Sequence, residues 1–192
     1  PSFTLEDFKI IHIEKFNILD KEVKEIYYEN YDIKDIINDF YDICLYIEEN
    51  TGIPAKVMLA QIIIETGYLQ SKPAQEKNNI FGIGDFDNIK PYSFQITIGF
   101  IKRNVHAKVD IKNRIYRYDN IGDCIFSYVY ALTSNNKKKE IYKELRSSLK
   151  EDISDEKFID IISSKYSADD KYNNKLKIML KELEKELNVY KK

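Results

Sequence analysis

The apolar positions between residues 36 and 50 follow the period of an amphipathic helix. They recur at steps of three and four residues, as one face of an α-helix requires. The positions are Ile36, Ile37, Phe40, Ile43, Cys44 and Ile47. Asn50, Thr51 and Gly52 follow, and asparagine and glycine are typical of helix ends. The pattern therefore predicts one helix that ends near residue 50.

A second helix, apolar on nearly every side, is predicted from Ala55 to Glu65. Pro54 precedes it, and the start of a helix tolerates proline. Its apolar residues are Val57, Met58, Leu59, Ala60, Ile62, Ile63 and Ile64. A helix of this kind belongs in the middle of a core, so we expect it to be the central helix of the fold.

The middle of the chain predicts a loop and a small β-lobe. Residues 66–92 hold the densest set of glycine, proline and asparagine residues, which predicts a long, shaped loop. Residues 94–101 and 107–118 are rich in β-branched and aromatic side chains, which favours a β-hairpin. Residues 102–106 are expected to form its turn.

Helical patterns return in the second half of the chain. They are predicted at residues 122–132, 138–149, 155–164 and 173–189. Residues 1–33 have no clean period and are expected to be an N-terminal extension of short helices or an arm. The predicted fold class is therefore α+β, mainly α, with one domain at residues 34–192.

Composition narrows the possible functions. A chain of 192 residues with 43% hydrophobic residues can bury one core and is too short for two ordinary domains. Its 30 basic and 32 acidic residues are spread along the chain, so no nucleic-acid partner is expected. No apolar stretch approaches a membrane span. The two histidines lack a metal-ligand spacing, so no metal site is expected. The chain has no dinucleotide-binding fingerprint and no P-loop, so no cofactor is expected either. Cys44 and Cys124 lie in apolar patterns and are expected to be buried thiols.

Glu65 is the candidate for chemistry. It ends the most apolar helix, where burial and the negative end of the helix dipole both disfavour a charged carboxylate. Both effects raise its pKa, as a general acid requires if it is to hold a proton near neutral pH. The alternative is a glutamate that only ends the helix and reaches solvent, and position alone does not decide between the two.

Four blocks of sequence around and after Glu65 carry a family resemblance. They are Gly52-Ile-Pro-Ala55 with Leu59-Ala-Gln-Ile-Ile-Ile-Glu65-Thr-Gly-Tyr68 and Ser71; Asn78-Asn-Ile-Phe-Gly-Ile83; Tyr116-Arg-Tyr118-Asp-Asn-Ile-Gly-Asp-Cys-Ile-Phe-Ser-Tyr128; and Tyr166-Ser-Ala-Asp169-Asp-Lys-Tyr172-Asn-Asn-Lys175-Leu176. In this order they resemble the bacterial N-acetylglucosaminidases of glycoside hydrolase family 73, a group that contains autolysins and the flagellar rod peptidoglycan hydrolase.

The resemblance implies a lysozyme-like domain with a small β-lobe beside a substrate groove. By this similarity Glu65 is the general acid and Tyr166 the active-site tyrosine, which positions water or the substrate acetamido group. The alternative for Tyr166 is a core aromatic with its hydroxyl bonded to the backbone. Asn79 and Phe81 are expected to shape the groove floor. Asp169 and Tyr172 are expected to fix the turn before the last helix, and Asp169 is included among the predicted substrate-binding residues.

The sequence departs from the family pattern at two positions. Tyr68 stands where the family has tryptophan, and it can still stack on a sugar. The glutamate that the family carries in the β-lobe is missing, because no glutamate occurs between Glu76 and Glu140. The candidate second carboxylate is Asp110 in the second hairpin strand, or Asp85 or Asp87 in the loop beside the groove. The substrate's own 2-acetamido group is the alternative.

The resemblance implies a peptidoglycan hydrolase that cuts the β-1,4 bond after N-acetylglucosamine. Tyrosines 68, 92, 116 and 118 are the predicted stacking faces for its glycan strands. Two alternatives stay open: a lytic transglycosylase or muramidase of the same fold, and a non-catalytic protein that binds the cell wall. The substrate implies an extracytoplasmic location, and the protein is expected to be a monomer.

Overall fold

A helical body carries a small antiparallel sheet. The computed structural model describes residues 16–84, 89–134, 142–167 and 169–190. The helices are α1 (Val23–Ile26), α2 (Ile33–Thr51), α3 (Ala55–Thr66), α4 (Lys72–Lys77), α5 (Ile121–Thr133), α6 (Lys143–Leu149), α7 (Asp155–Tyr166) and α8 (Tyr172–Tyr190). The strands are β1 (Tyr92–Ile98), β2 (Ile101–Asp110) and β3 (Ile115–Arg117). The predicted class, α+β and mainly α, is confirmed.

Helix α3 is the centre of the core. Every residue from Val57 to Ile63 is buried, including the polar Gln61. The helix packs between α2 and α8 and also contacts α7. Because helices cover it on several sides, it needs no polar face. The predicted central position is confirmed.

The β-lobe differs from the predicted hairpin in the position of its turn. Strand β1 pairs with β2 from Tyr92 opposite Ala107 to Ile98 opposite Ile101, so the turn lies at residues 99 and 100. Gly99 adopts φ +59°, which two-residue hairpin loops require. The prediction of a turn at residues 102–106 is therefore wrong: these residues form part of β2, with alternate positions facing outward. Strand β3 adds a third, short strand to β2.

The segment before α2 is part of the packed body where the structure describes it. Phe16, Leu19 and Val23 are each at most 4% exposed. The Val23 amide donates to Asn78 Oδ1 over 2.8 Å, which ties α1 to the loop after α4. Residues 1–15 of the predicted extension lie outside the described residues.

Both cysteines are free and buried, as predicted. Burial raises the pKa of the Cys124 thiol to about 12, and such a thiol is unreactive at neutral pH. In the part of the chain that the structure describes, no helix combines the length and apolar character that crossing a bilayer requires.

Candidate active site

Glu65 lies in the last turn of α3 and is partly buried. Burial raises the pKa of its carboxyl group, and a hydrogen bond from the Tyr172 hydroxyl acts in the opposite direction. The sequence left two interpretations of Glu65 open, a general acid and a glutamate that only ends the helix and reaches solvent. The partly desolvated carboxyl group agrees with the general acid. Its surroundings are those of a group that can keep a proton at a pH where an exposed glutamate has lost it.

The chain leaves α3 through an unusual left-handed turn. Gly67, Tyr68 and Leu69 all have positive φ values, of 56°, 60° and 67°. Such a conformation is unfavourable for the two residues that carry a Cβ atom. It is held by Leu69, which is fully buried and whose amide donates to Thr66 Oγ1 over 2.8 Å. Backbone strain held by packing is typical of functional sites.

Tyr68, the predicted stacking residue, is partly buried at this turn. Burial raises the pKa of its phenol, with smaller effects from Glu182 of α8 and Asp32 at the start of α2. The tyrosine remains a predicted substrate contact.

The loop after α4 is pinned by two asparagines. Asn79 is 1% exposed, donates to the carbonyls of Ile83 and Tyr116 over 2.8 Å each, and accepts from the Ile83 amide over 2.9 Å. Asn78 bonds the Tyr118 carbonyl over 3.0 Å. Phe81 is fully buried. Asn79 and Phe81 thus shape the loop from beneath and do not present a free surface themselves.

Gly82 brings this loop against the acid, which the sequence analysis did not anticipate. Its φ is +66°, and a Cβ atom at this position would meet Glu65 Oε2 and lie 3.0 Å from Glu65 Cδ. Only glycine suits the backbone conformation and also leaves the Glu65 carboxyl group in its place. The sequence signal was a glycine in a block that resembles the family.

Tyr172 is the second site residue that sequence analysis missed. It was expected to fix the start of the last helix, and it is indeed the first residue of α8. Its side chain, however, is 3% exposed, and its hydroxyl bonds the Glu65 carboxyl. Burial, followed by the charge of Glu65, raises the pKa of the phenol far above its usual value, so it stays a hydrogen-bond donor.

Asp110 has an ion-pair partner of its own. Its carboxylate lies 3.2 Å from Lys77 Nζ and accepts from the amide and the side chain of Asn113. The Asn113 side chain, with Lys77 contributing, lowers the pKa of Asp110 to about 2. Asp110 lines an open cavity of about 460 Å³ that Glu65 does not line. The structure thus gives Asp110 a role in a turn and does not bring it to Glu65.

The tyrosines of the β-lobe are mostly covered. Tyr116 and Tyr118 are 5% and 2% exposed, which leaves little ring surface for a sugar. Tyr92 is partly buried, packs edge-on against Tyr116, and its hydroxyl lies 2.9 Å from Ser127 Oγ. Tyr92 and Tyr68 therefore keep more accessible surface than the other two.

Three further residues were predicted at the site. Asp169 is exposed, accepts from the Lys171 amide and from Lys175 Nζ over 2.9 Å each, and so holds the turn before α8. Tyr166 is the last residue of α7, and its side chain lies outside the described part of the chain. Asp85 and its alternative Asp87 also lie outside the described residues. Among those described, no cluster of histidine, cysteine and carboxylate groups could hold a metal ion.

One known protein family matches most of the chain. A family model described as mannosyl-glycoprotein endo-beta-N-acetylglucosaminidase, the glucosaminidase family, matches residues 42–185. No curated protein matches the sequence significantly.

Similar solved structures come from several bacteria. The catalytic domain of the autolysin Auto from Listeria monocytogenes has a TM-score of 0.56 at 15% identity, over 96% of this chain and 97% of that one. The glycoside hydrolase domain of FlgJ from Salmonella typhimurium has a TM-score of 0.54 at 19% identity, over 83% of this chain and 93% of that one. A peptidoglycan hydrolase mutant from Sphingomonas sp. A1 has a TM-score of 0.52 at 17% identity, over 79% and 96%. These structures share the fold.

Proposed function

The chain belongs to the glucosaminidase family and is a glycoside hydrolase, and we propose that it cleaves peptidoglycan at the β-1,4 bond on the reducing side of N-acetylglucosamine. The names of three similar structures, an autolysin, a glycoside hydrolase domain and a peptidoglycan hydrolase, support this choice of substrate. The observation that carries the proposal is the partly buried carboxyl group of Glu65 at the end of the central helix.

Glu65 acts as the general acid. Its raised pKa favours the protonated form of the carboxyl group, and the proton passes to the glycosidic oxygen as the bond from that oxygen to C1 breaks. Because Gly82 packs against the same carboxyl group, the acid has little freedom to turn away from the bond. Glycosidases of this kind generally keep a proton on one carboxyl group by burying it.

The substrate's 2-acetamido group is the partner that attacks C1. Asp110 is unsuited to that role, because its carboxylate is held by Lys77 and Asn113 and lines a cavity that Glu65 does not line. The acetamido oxygen forms a bond to C1 as the leaving oxygen takes the proton from Glu65. Water then attacks C1, gives its proton to Glu65 and opens the ring intermediate, so the product retains its configuration. Tyr166, as the family tyrosine, positions the acetamido group.

Mass spectrometry of fragments released from purified peptidoglycan tests the reaction and its acid. We expect fragments with reducing N-acetylglucosamine ends from the protein, and none from Glu65→Gln. Glu184→Gln is the matched control, because Glu184 lies on the surface of α8 and pairs only loosely with Lys56, at 3.9 Å. Full cleavage by Glu65→Gln would refute the assignment of the acid.

The same spectra separate the rival functions. A lytic transglycosylase, which also works with one glutamate, would leave anhydro-muramic ends, and a muramidase would leave reducing muramic ends. One observation favours these single-glutamate enzymes: within the described residues, no second carboxylate contributes to the pKa of Glu65. Sugar binding without any cleavage would indicate a wall-binding protein.

The proposed substrate lies outside the cytoplasm, and we propose that the protein works there as a monomer.

A further inference from the structure

Three buried side chains form a hydrogen-bonded chain behind Glu65. They come from three helices: Tyr128 from α5, Gln61 from α3 and Tyr172 from α8. All are at most 3% exposed. The Tyr128 hydroxyl bonds Gln61 Oε1, Gln61 Nε2 lies 3.3 Å from the Tyr172 hydroxyl, and that hydroxyl bonds the Glu65 carboxyl.

The chemistry of these groups gives the chain one direction. An amide nitrogen only donates, so the Tyr172 oxygen is the acceptor from Gln61, and its single proton remains for Glu65. Tyr128 donates to Gln61 Oε1, which keeps the amide from turning its oxygen toward Tyr172. The donated hydrogen bonds therefore run outward from the core, from Tyr128 through Gln61 and Tyr172 to Glu65.

We infer that Tyr172, oriented by Gln61 and Tyr128, is a positioning residue that holds the carboxyl group of Glu65 in its catalytic orientation. The inference rests on the proposed role of Glu65 as the acid. Tyr172 approaches this group from α8, and the backbone at Gly82 packs against it from the loop after α4. A carboxyl group held from two elements is preorganised for proton transfer. Phe81 supports the inner end of the chain, stacking on Tyr128 with ring centroids 4.0 Å apart.

The chain also tunes when Glu65 loses its proton. Two influences act on its pKa within the described residues: burial, which raises it, and the Tyr172 hydrogen bond, which lowers it. No charged side chain of α2, α7, α8 or the sheet, among those described, adds to them. Tyr172 itself faces Glu65, Gln61 and the phenol of Tyr142. Removing its hydroxyl takes away the influence that lowers the pKa of Glu65.

The test is a direct titration of Glu65 together with the pH dependence of cleavage. Carbon-13 NMR follows the titration of the Glu65 Cδ resonance in the wild-type protein and in the variants Tyr172→Phe and Tyr128→Phe. The resonance is assigned by its disappearance in Glu65→Gln. Tyr46→Phe is the matched control: this buried tyrosine also bonds two partners, the Ile98 carbonyl and the Phe100 amide at 2.8 Å each, in the turn of the β-lobe.

We expect Tyr172→Phe to raise the pKa of Glu65 and Tyr128→Phe to raise it less, because Tyr128 acts only through the orientation of Gln61. A general acid must be protonated, so the alkaline limb of the pH–rate profile moves to higher pH in the same order. In Tyr172→Phe the kcat falls about tenfold and the KM is unchanged. This fall is smaller than the roughly 10²–10⁴-fold contribution of the acid itself. Tyr46→Phe keeps the wild-type titration and limb.

An unchanged Glu65 titration in Tyr172→Phe, in a folded protein, overturns the inference. The proposed function fails in a different way, since Glu65→Gln would then cleave normally whatever the NMR titration gives. A shift of equal size in Tyr46→Phe would also overturn it, because the effect would then reflect general loosening of the core.

Discussion

Gly82 permits the contact between the loop and Glu65 through two separate properties, its backbone conformation and its missing side chain. Gly67 offers the matched comparison, because it has a similar positive φ of 56° but a Cβ atom added there would meet no atom within 4 Å. We expect Gly82→Ala and Gly67→Ala each to lose about 1–2 kcal/mol of unfolding free energy from the left-handed backbone. Only Gly82→Ala should lose cleavage activity, since its methyl group displaces the Glu65 carboxyl.

Urea unfolding and the initial rate of peptidoglycan cleavage measure the two effects. Equal losses of activity in the two variants would show that the turn, and not the contact with Glu65, matters for catalysis.

Asp110 is expected to serve stability at acid pH more than catalysis. Its pKa is lowered from 3.8 to about 2 by Asn113 and Lys77. A lowered pKa gives stability that is present above 3.8 and is lost as the pH falls toward 2. We expect Asp110→Asn to keep at least half of the wild-type cleavage rate and to remove this part of the acid dependence of unfolding, which urea titrations between pH 5 and 2 measure. A large loss of cleavage would restore Asp110 as the second catalytic group.

Whole helices could be predicted from the sequence where an apolar period is long. The bounds of α2, α3, α5 and α8 agree with the patterns to within a few residues, because each helix buries a continuous stripe or, for α3, nearly its whole surface. Helix α4 was not predicted, since six residues are too few for a period to emerge. The contact between Tyr172 and Glu65 was not predictable either, because no local pattern indicates that α8 lies beside α3.

The turn between β1 and β2 was misplaced for a related reason. The mostly polar residues 102–106 resemble a turn in composition, but strand β2 exposes one face there and buries the other. The single glycine at residue 99 was the better signal for the turn. The structure shows why glycine is needed there: a Cβ atom would meet the Tyr46 hydroxyl and lie 2.8 Å from Tyr46 Cζ. The close approach of α2 to the turn needs the glycine.

The β-lobe turn yields a prediction by a double-mutant cycle. We expect Gly99→Ala to lower the unfolding free energy by about 1–2 kcal/mol through its backbone alone, and further through the contact with Tyr46. In Tyr46→Phe the hydroxyl is absent, so adding Gly99→Ala should cost less than in the wild-type protein. Thermal unfolding of the wild-type protein, the two single variants and the double variant gives the coupling energy. Strict additivity would mean that a shift in other residues removes the contact between the added methyl group and Tyr46.

At the scale of the whole molecule, Arg103 joins three parts of the chain that are distant in sequence. From β2 it donates to Asp123 Oδ1 of α5 over 2.9 Å and to the Leu19 carbonyl of the N-terminal segment over 3.2 Å. It also bonds Asn120 Oδ1, which caps α5, over 2.8 Å. The Arg103 and Asp123 side chains are only 16% and 7% exposed. One guanidinium group therefore links the β-lobe, α5 and residues 16–20 by hydrogen bonds.

Replacing that group should loosen the whole fold, because Asp123 would remain buried without its partner. We expect Arg103→Met to lower the unfolding free energy by about 3 kcal/mol, as the loss of one member of a buried ion pair does. Lys108→Met is the comparison on the same strand: its pair with Asp119 is half exposed, so the loss should stay below about 1 kcal/mol. Urea unfolding measures both, and hydrogen exchange at residues 16–20 and in α5 should rise together in Arg103→Met. Exchange that rises in only one of these segments would mean that they do not depend on Arg103 as a unit.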